Sequence, residues 1–353
     1  MLKRIALLCR ATTWLLIIVA AHGASAIAAE QHVGVSYFAF RTASGEAPIN
    51  AYVFYPASAD QVRSARIGPY DVQAEMDAAE LKGAKPLIVI SHGQGGSALG
   101  HHDLATYLAA RGHVVASLEH PKDNVRDGSG VGTAEVLLGR PHQVSALIDA
   151  LAADARWGRI LDRERIGVAG FSMGGYTGLA LVGARPNFLR LLDLCDAGLE
   201  RGMCDLLAKK GAALDAEQPA RAYVVSLESA AREAGTLADP RVKAAFVMAP
   251  MALVFDQASF TGITRPVHLH YGTADRLLDP AQNANNVIRW LPTLAGRTAI
   301  VGSDHWVYLA PCSAELAEAA SEICSDAPGI DRAKLHRQIQ KEALDFFAAH
   351  LES

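Results

Sequence analysis

The run Arg165-Ile166-Gly167-Val168-Ala169-Gly170-Phe171-Ser172-Met173-Gly174-Gly175-Tyr176-Thr177-Gly178-Leu179-Ala180-Leu181-Val182 decides the fold. Residues 165–169 have the length and apolar composition of a buried strand, and residues 176–182 can continue as a helix. Ser172 stands between them, with Gly170 before it and Gly174 after it. A strand that turns into a helix over so few residues strains the one at the apex. Side chains at the flanking positions would collide with the neighbouring strand and helix.

A strand, a glycine-flanked serine and a helix form the nucleophile elbow of α/β-hydrolases, so Ser172 is the expected nucleophile. The helix that follows aims its first N–H groups at the place where an oxyanion would form. Working outward, residues 87–90 are a short apolar run, expected as a central parallel strand ending at Ser91-His92-Gly93-Gln94-Gly95-Gly96. A helix over 99–110, a strand over 114–118, a loop over 119–133 and a helix over 140–153 lead to the elbow. Beyond it come strands over 242–248, 266–271 and 298–301, a helix over 280–290 and a terminal helix over 331–350. The alternation predicts an α/β fold with a right-handed, mainly parallel sheet covered by helices on both faces. Two edge strands, 33–40 and 49–55, precede it, joined by a turn at Ser44-Gly45, and residues 58–85 read as irregular. The leucine-bearing segment 187–239 is a helical insertion that reads either as a lid or as extra packing helices.

A serine hydroxyl needs a base, and the base needs an acid to fix its tautomer. In this fold the chain order is serine, acid, histidine. Asp275, in Gly272-Thr273-Ala274-Asp275, follows one strand, and His305, in Ser303-Asp304-His305-Trp306, follows the next. Both therefore fall at the carboxyl ends of parallel strands, the edge that carries the elbow. Asp279 and Asp304 compete for the acid's place. Asp279 precedes Pro280 and reads as a helix N-cap; Asp304 adjoins His305 in sequence and is poorly placed to reach its ring. The oxyanion donors are expected to be the backbone N–H groups of Met173 and Gln94, the second in a loop similar to the H-G-G-G type. His92 is expected to order that loop.

No metal is expected. The histidines of His101-His102-Asp103 diverge around a helix, and His268 and His270 read as packing on one strand face. No cofactor is expected either: Gly128-Ser129-Gly130-Val131-Gly132 does not follow a strand and makes no dinucleotide fingerprint.

The full chain has 353 residues, half of them hydrophobic, and a formal net charge of −4. That is enough apolar material for one large domain, 27–353, and no basic stripe marks a nucleic-acid partner. A positive start (Lys3, Arg4), an apolar middle from Trp14 to Ala21 and the small-residue end Ala24-Ser25-Ala26 describe a signal peptide over 1–26. The apolar middle is too short for a stable membrane anchor. Export to the periplasm or medium follows as an expectation. Once Cys9 leaves with the leader, Cys195, Cys204, Cys312 and Cys324 remain, and two close-spaced pairs in an exported chain suggest local disulfides 195–204 and 312–324. Three connectivities stay open to the sequence.

Together, Ser91–Gly96, Gly170–Gly175, the turn at Gly272–Asp275 and Asp304-His305-Trp306-Val307-Tyr308-Leu309-Ala310-Pro311-Cys312 resemble the bacterial "predicted dienelactone hydrolase" group. That group is similar to secreted platelet-activating factor acetylhydrolase and to lipase-like polyester hydrolases. The resemblance runs from about Gly34 to the C-terminus and implies a cofactor-free serine carboxylic ester hydrolase. Ser172 stands where dienelactone hydrolases carry cysteine, and Asp304 where the family usually has glycine. The expected activity is hydrolysis of uncharged, short-to-medium acyl esters, small or polymeric, through an acyl-enzyme. The alternatives are a peptidase or amidase using the same residues, and a binding protein without catalysis. Leucines of 187–239 and the apolar residues of 248–255 are expected to line an acyl pocket.

Overall fold

Every side chain from Leu87 to Ile90 is buried, and successive residues face opposite sides of one sheet. Leu87 and Val89 join one apolar cluster and Ile88 and Ile90 the other, so this strand has no polar face to show in its sequence. The computed structural model describes residues 31–43, 47–58 and 64–351. The expected leader and the turn at Ser44-Gly45 lie outside the described residues.

In chain order the strands are β1 (His32–Phe40), β2 (Ile49–Ser58), β3 (Ala65–Ile67), β4 (Tyr70–Val72), β5 (Glu75–Met76), β6 (Ala79–Glu80), β7 (Lys85–Ser91), β8 (Val114–Leu118), β9 (Leu161–Phe171), β10 (Val242–Met248), β11 (Val267–Gly272) and β12 (Leu294–Ile300). The helices are α1 (His102–Ala109), α2 (Ala134–Ala153), α3 (Met173–Leu181), α4 (Arg190–Asp196), α5 (Arg201–Gly211), α6 (Pro219–Ala234), α7 (Ala284–Trp290), α8 (Ala314–Ala319), α9 (Ser321–Cys324) and α10 (Arg332–Leu351).

The main sheet runs β12-β11-β10-β9-β7-β8-β2-β1-β5, with β6 paired to β2. From β8 to β12 all neighbours are parallel, while β2 pairs antiparallel with β8 and with β1. On one face α2, α3 and the insertion helices share a core with Val89 and Val168. On the other, Leu104 and Leu108 of α1 and Phe346 and Phe347 of α10 close over Ile90 and Phe171.

Register sets the site. Ser91 pairs with Gly170, Phe171 with Met248, Met248 with His270, and Gly272 with Ile300. The residues that follow these strand ends therefore emerge along one edge.

Several elements differ from the sequence reading; β9 and β12 both start four residues early, at Leu161 and Leu294. Residues 58–85 contain the short strands β3 to β6. α2 starts at Ala134 rather than at Arg140, because the Thr133 hydroxyl caps Val136 N–H and Val136 and Leu137 bury in the first turns. Pro141 therefore sits inside the helix instead of opening it. α7 starts at Ala284 with Asn283 at its N-cap, and Asp279 instead caps the preceding turn through Ala281 N–H at 2.9 Å.

Candidate active site

Ser172 is held at φ 56°, ψ −115°, a conformation that costs an ordinary side chain energy. Three backbone bonds fix it there: its N–H donates to Met248 O at 2.9 Å, and its carbonyl accepts from Tyr176 N–H at 3.1 Å and from Met251 N–H at 2.9 Å. The flanking glycines are sterically required. A Cβ on Gly170 would stand 2.0 Å from Gly174 O, and one on Gly174 would stand 1.8 Å from Ser91 O. The elbow is thus pressed directly onto the end of β7.

The structure brings Asp275 and His305 together. His305 Nδ1 donates to Asp275 Oδ2 at 2.7 Å, with both side chains almost wholly buried. Asp275 Oδ1 accepts the N–H groups of Leu277 (3.0 Å) and Leu278 (2.7 Å), which orient the carboxylate. The His305 ring lies 4.7 Å from the ring of Phe171, the residue before Ser172. Its Nε2 is buried and has no protein partner among the described residues. Asp304 turns the other way: it accepts from His305 N–H and pairs with Arg276. Asp279, engaged in its own turn, makes no bond to His305.

Gly93 packs against the elbow, where its Cβ position lies 3.2 Å from Ser172 Cβ. Gln94 follows, exposed, and Met173 opens α3. Neither the Gln94 nor the Met173 N–H has a protein acceptor among the described residues. The loop is tightened by Gly96 N–H to Gly93 O at 3.1 Å. His92 accepts from His120 N–H through Nε2 (3.1 Å), so its Nδ1 carries the proton and donates to Gly93 O at 2.6 Å.

Beneath this loop lies a buried polar network that sequence reading missed. Arg140 Nη1 meets Asp123 Oδ2 at 2.5 Å, and its Nη2 donates to His92 O and, at 3.4 Å, to Ser91 Oγ. Arg140 Nε donates to Thr177 Oγ1 on α3 at 3.3 Å. Asp123 Oδ1 takes Gly95 N–H at 2.9 Å, which ties the ion pair to the loop that carries Gln94. His120 Nε2 bonds Ser91 Oγ at 2.8 Å and its Nδ1 bonds Gln143 Oε1 at 2.7 Å. Burial, reinforced by Arg140, holds the pKa values of His92 and His120 well below the ordinary histidine value. Burial also lowers Arg140 to about 10, against the pull of Asp123.

A second network holds the turn that carries His305. His101 Nδ1 bonds Tyr308 O at 3.1 Å, and His336 Nε2 bonds Val307 O at 2.9 Å. His336 Nδ1 meets Asp103 Oδ2 at 2.6 Å, and Gln340 Nε2 reaches the same oxygen at 2.9 Å. Burial opposes the charge on both members of this pair, but their attraction prevails. His336 is raised and Asp103 lowered from their ordinary values. The sequence signal was partial: His101 and Asp103 stand out as a cluster, whereas His336 looks like any polar position of a terminal helix.

Cys195 is bonded to Cys204 and Cys312 to Cys324. The first bridge lies within the insertion; the second ties the stretch after His305 to α9. The insertion is well packed. Leu191, Leu194, Leu207, Val224 and Leu227 join the core beside α2 and α3, and Tyr223 Oη bonds Gly132 O at 3.0 Å. Met251 to Phe255 are all buried, and Phe255 stacks on Tyr176 at 5.5 Å. These residues pack around the elbow helix. No helix among the described residues is long and apolar enough to cross a membrane.

A mainly parallel sheet covered on both faces, with a strained serine at a strand-to-helix turn and an Asp–His pair beyond later strands, defines an α/β-hydrolase fold. Among solved structures, a ferulic acid esterase from Streptomyces cinnamoneus is similar with a TM-score of 0.62 and 16% identity, covering 92% of each chain. At that identity the likeness is one of fold. No family model and no curated protein matches the chain.

Proposed function

We propose that this chain is an exported serine carboxylic ester hydrolase acting through Ser172, His305 and Asp275. The observation that carries the reading is the buried 2.7 Å bond from His305 Nδ1 to Asp275 Oδ2, which directs the Nε2 lone pair away from the acid. His305 Nε2 takes the Ser172 proton as Oγ attacks the ester carbonyl, and the tetrahedral oxyanion forms against the N–H groups of Met173 and Gln94. His305 then protonates the departing alkoxide, leaving an acyl-serine. Water, deprotonated by His305, repeats the attack, releases the acid and restores Ser172. The strained elbow, the two N–H groups without protein acceptors and the esterase-like fold support this assignment. The two disulfides fit export.

The substrate class we propose is uncharged esters of short-to-medium acyl groups, aryl esters included, in line with the dienelactone hydrolase-like resemblance and the ferulic acid esterase fold neighbour. The test is labelling with a fluorophosphonate, then turnover of p-nitrophenyl esters from acetate to palmitate, of a feruloyl ester and of matched anilides. Labelling confined to Ser172 with ester turnover favouring the shorter chains is expected. Labelling elsewhere, a kcat/KM maximum at palmitate or activity on anilides alone overturns the reading.

A further inference from the structure

His268 and His270 alternate on β11 and point to the same side, where Glu342 of α10 meets them. His270 Nε2 is 2.9 Å and His268 Nε2 3.5 Å from a single oxygen, Glu342 Oε2. One ligand-type atom from each residue falls in a cluster within 4.8 Å. Hydrogen bonding inside the protein does not serve all of them. Thr298 Oγ1 (2.6 Å) and His270 Nε2 both donate to Oε2, while His268 Nε2 is buried and makes no hydrogen bond among the described residues. Two imidazole nitrogens thus converge on one carboxylate oxygen and only one is satisfied.

We propose that His268, His270 and Glu342 form a binding site for one zinc-like divalent cation, distinct from the Ser172 site. Two imidazoles and a carboxylate are a zinc donor set, with the fourth position left for water, whereas magnesium and calcium prefer oxygen ligands alone. The surroundings hold the donors in place. Phe246 lies 5.0 Å from the His268 ring and 5.1 Å from the His270 ring. Gln338 Nε2 donates to Glu342 Oε1 at 2.7 Å, and the Thr298 hydroxyl fixes the other oxygen, as outer partners do around metal sites. His270 is closed off, but the His268 and Glu342 side chains keep 15% and 26% of their exposure, which gives the ion a route in. The cation would fasten α10 to β11. That strand continues directly to Asp275, and the His270 ring also meets Tyr308 of the His305 turn edge-on. The expected role is structural.

The test uses the folded mature protein, stripped with chelator and titrated with Zn2+ by calorimetry, with Co2+ as a spectroscopic probe. One zinc per chain is expected, with four-coordinate visible bands from cobalt. Zinc at a hundredfold excess over Kd should raise Tm by about 4 °C. His268→Gln and Glu342→Gln should each weaken binding at least tenfold, and His142→Gln, on the exposed side of α2, should leave it unchanged. Absence of stoichiometric binding to the wild type, octahedral cobalt bands, or wild-type affinity retained in the His268 and Glu342 variants overturns the proposal. The wild-type measurements decide the matter even if a variant fails to fold.

Discussion

Arg140 and Asp123 form an ion pair with both side chains wholly buried, one end on α2 and the other in the loop after β8. The pair is not merely a contact in the core. Through His92 O and Gly95 N–H it holds both ends of the loop that carries Gln94, and through Thr177 it holds α3, whose first residue is Met173. Both proposed oxyanion donors are thus referred to one guanidinium. Removing one partner of such a pair leaves an uncompensated buried charge and costs about 3–5 kcal/mol.

Arg140→Lys keeps the charge but loses the planar fork that reaches four groups at once, Asp123, His92 O, Ser91 and Thr177. We expect kcat on a p-nitrophenyl ester to fall roughly 10- to 100-fold with KM little changed, since misplaced donors act mainly on the transition state. Steady-state kinetics and fluorophosphonate labelling rates measured together would show it. A lowered Tm with kcat intact would mean that Arg140 is structural only.

Ser172→Ala and His305→Ala should each reduce kcat by about 10⁴-fold or more with little loss of stability, and Asp275→Asn should approach that through the wrong His305 tautomer. Asp304→Asn breaks the contact with Arg276 and should cost far less. If Asp304→Asn or Asp279→Asn proves the more damaging change, Asp275 is not the acid.

Much of this site can be read in one dimension because its constraints are local. Gly170, Ser172 and Gly174 must be spaced as they are for a strand to turn into a helix, and residues 87–90 must be apolar throughout because two faces are covered. The networks behind the site are different. Arg140 finds Asp123, and His336 finds Asp103, only after the sheet has brought distant loops and helices together. Nothing in the spacing of a lone arginine on a helix announces a buried partner.

Bridge 312–324 spans a sequence separation of 12 and bridge 195–204 one of 9, so each closes a short loop worth about 2–3 kcal/mol by loop entropy. Cys312→Ser with Cys324→Ser should lower the urea midpoint and reduce kcat, because the bridge braces the chain just after the His305 turn. Cys195→Ser with Cys204→Ser should lower stability with kcat close to wild type. Equal effects of the two double variants on kcat would remove any special link between the second bridge and His305.

Stability should fall steeply as pH drops below neutrality. Burial is the leading cause that pushes His92 and His120 well below their ordinary 6.5 and brings His101 and His113 to about 4. Between pH 6.5 and about 4 the unfolded chain binds protons at these positions and the folded chain does not. Each such histidine therefore adds up to about 1.4 kcal/mol of lost stability per pH unit. His336 works in the opposite sense. Its raised pKa gives stability that is complete below 6.5 and is lost as pH climbs through the folded value. Its partner Asp103, lowered from 3.8, gives stability present above that value and lost only in stronger acid. Urea unfolding across pH 4.5 to 8.5 should show a long acid limb and a shallow alkaline one. His336→Gln should flatten the alkaline limb and leave the slope of the acid limb in place. A wild-type stability that stays level from pH 7 to 4.5 would show that these histidines are protonated in the folded protein and that burial does not keep them neutral.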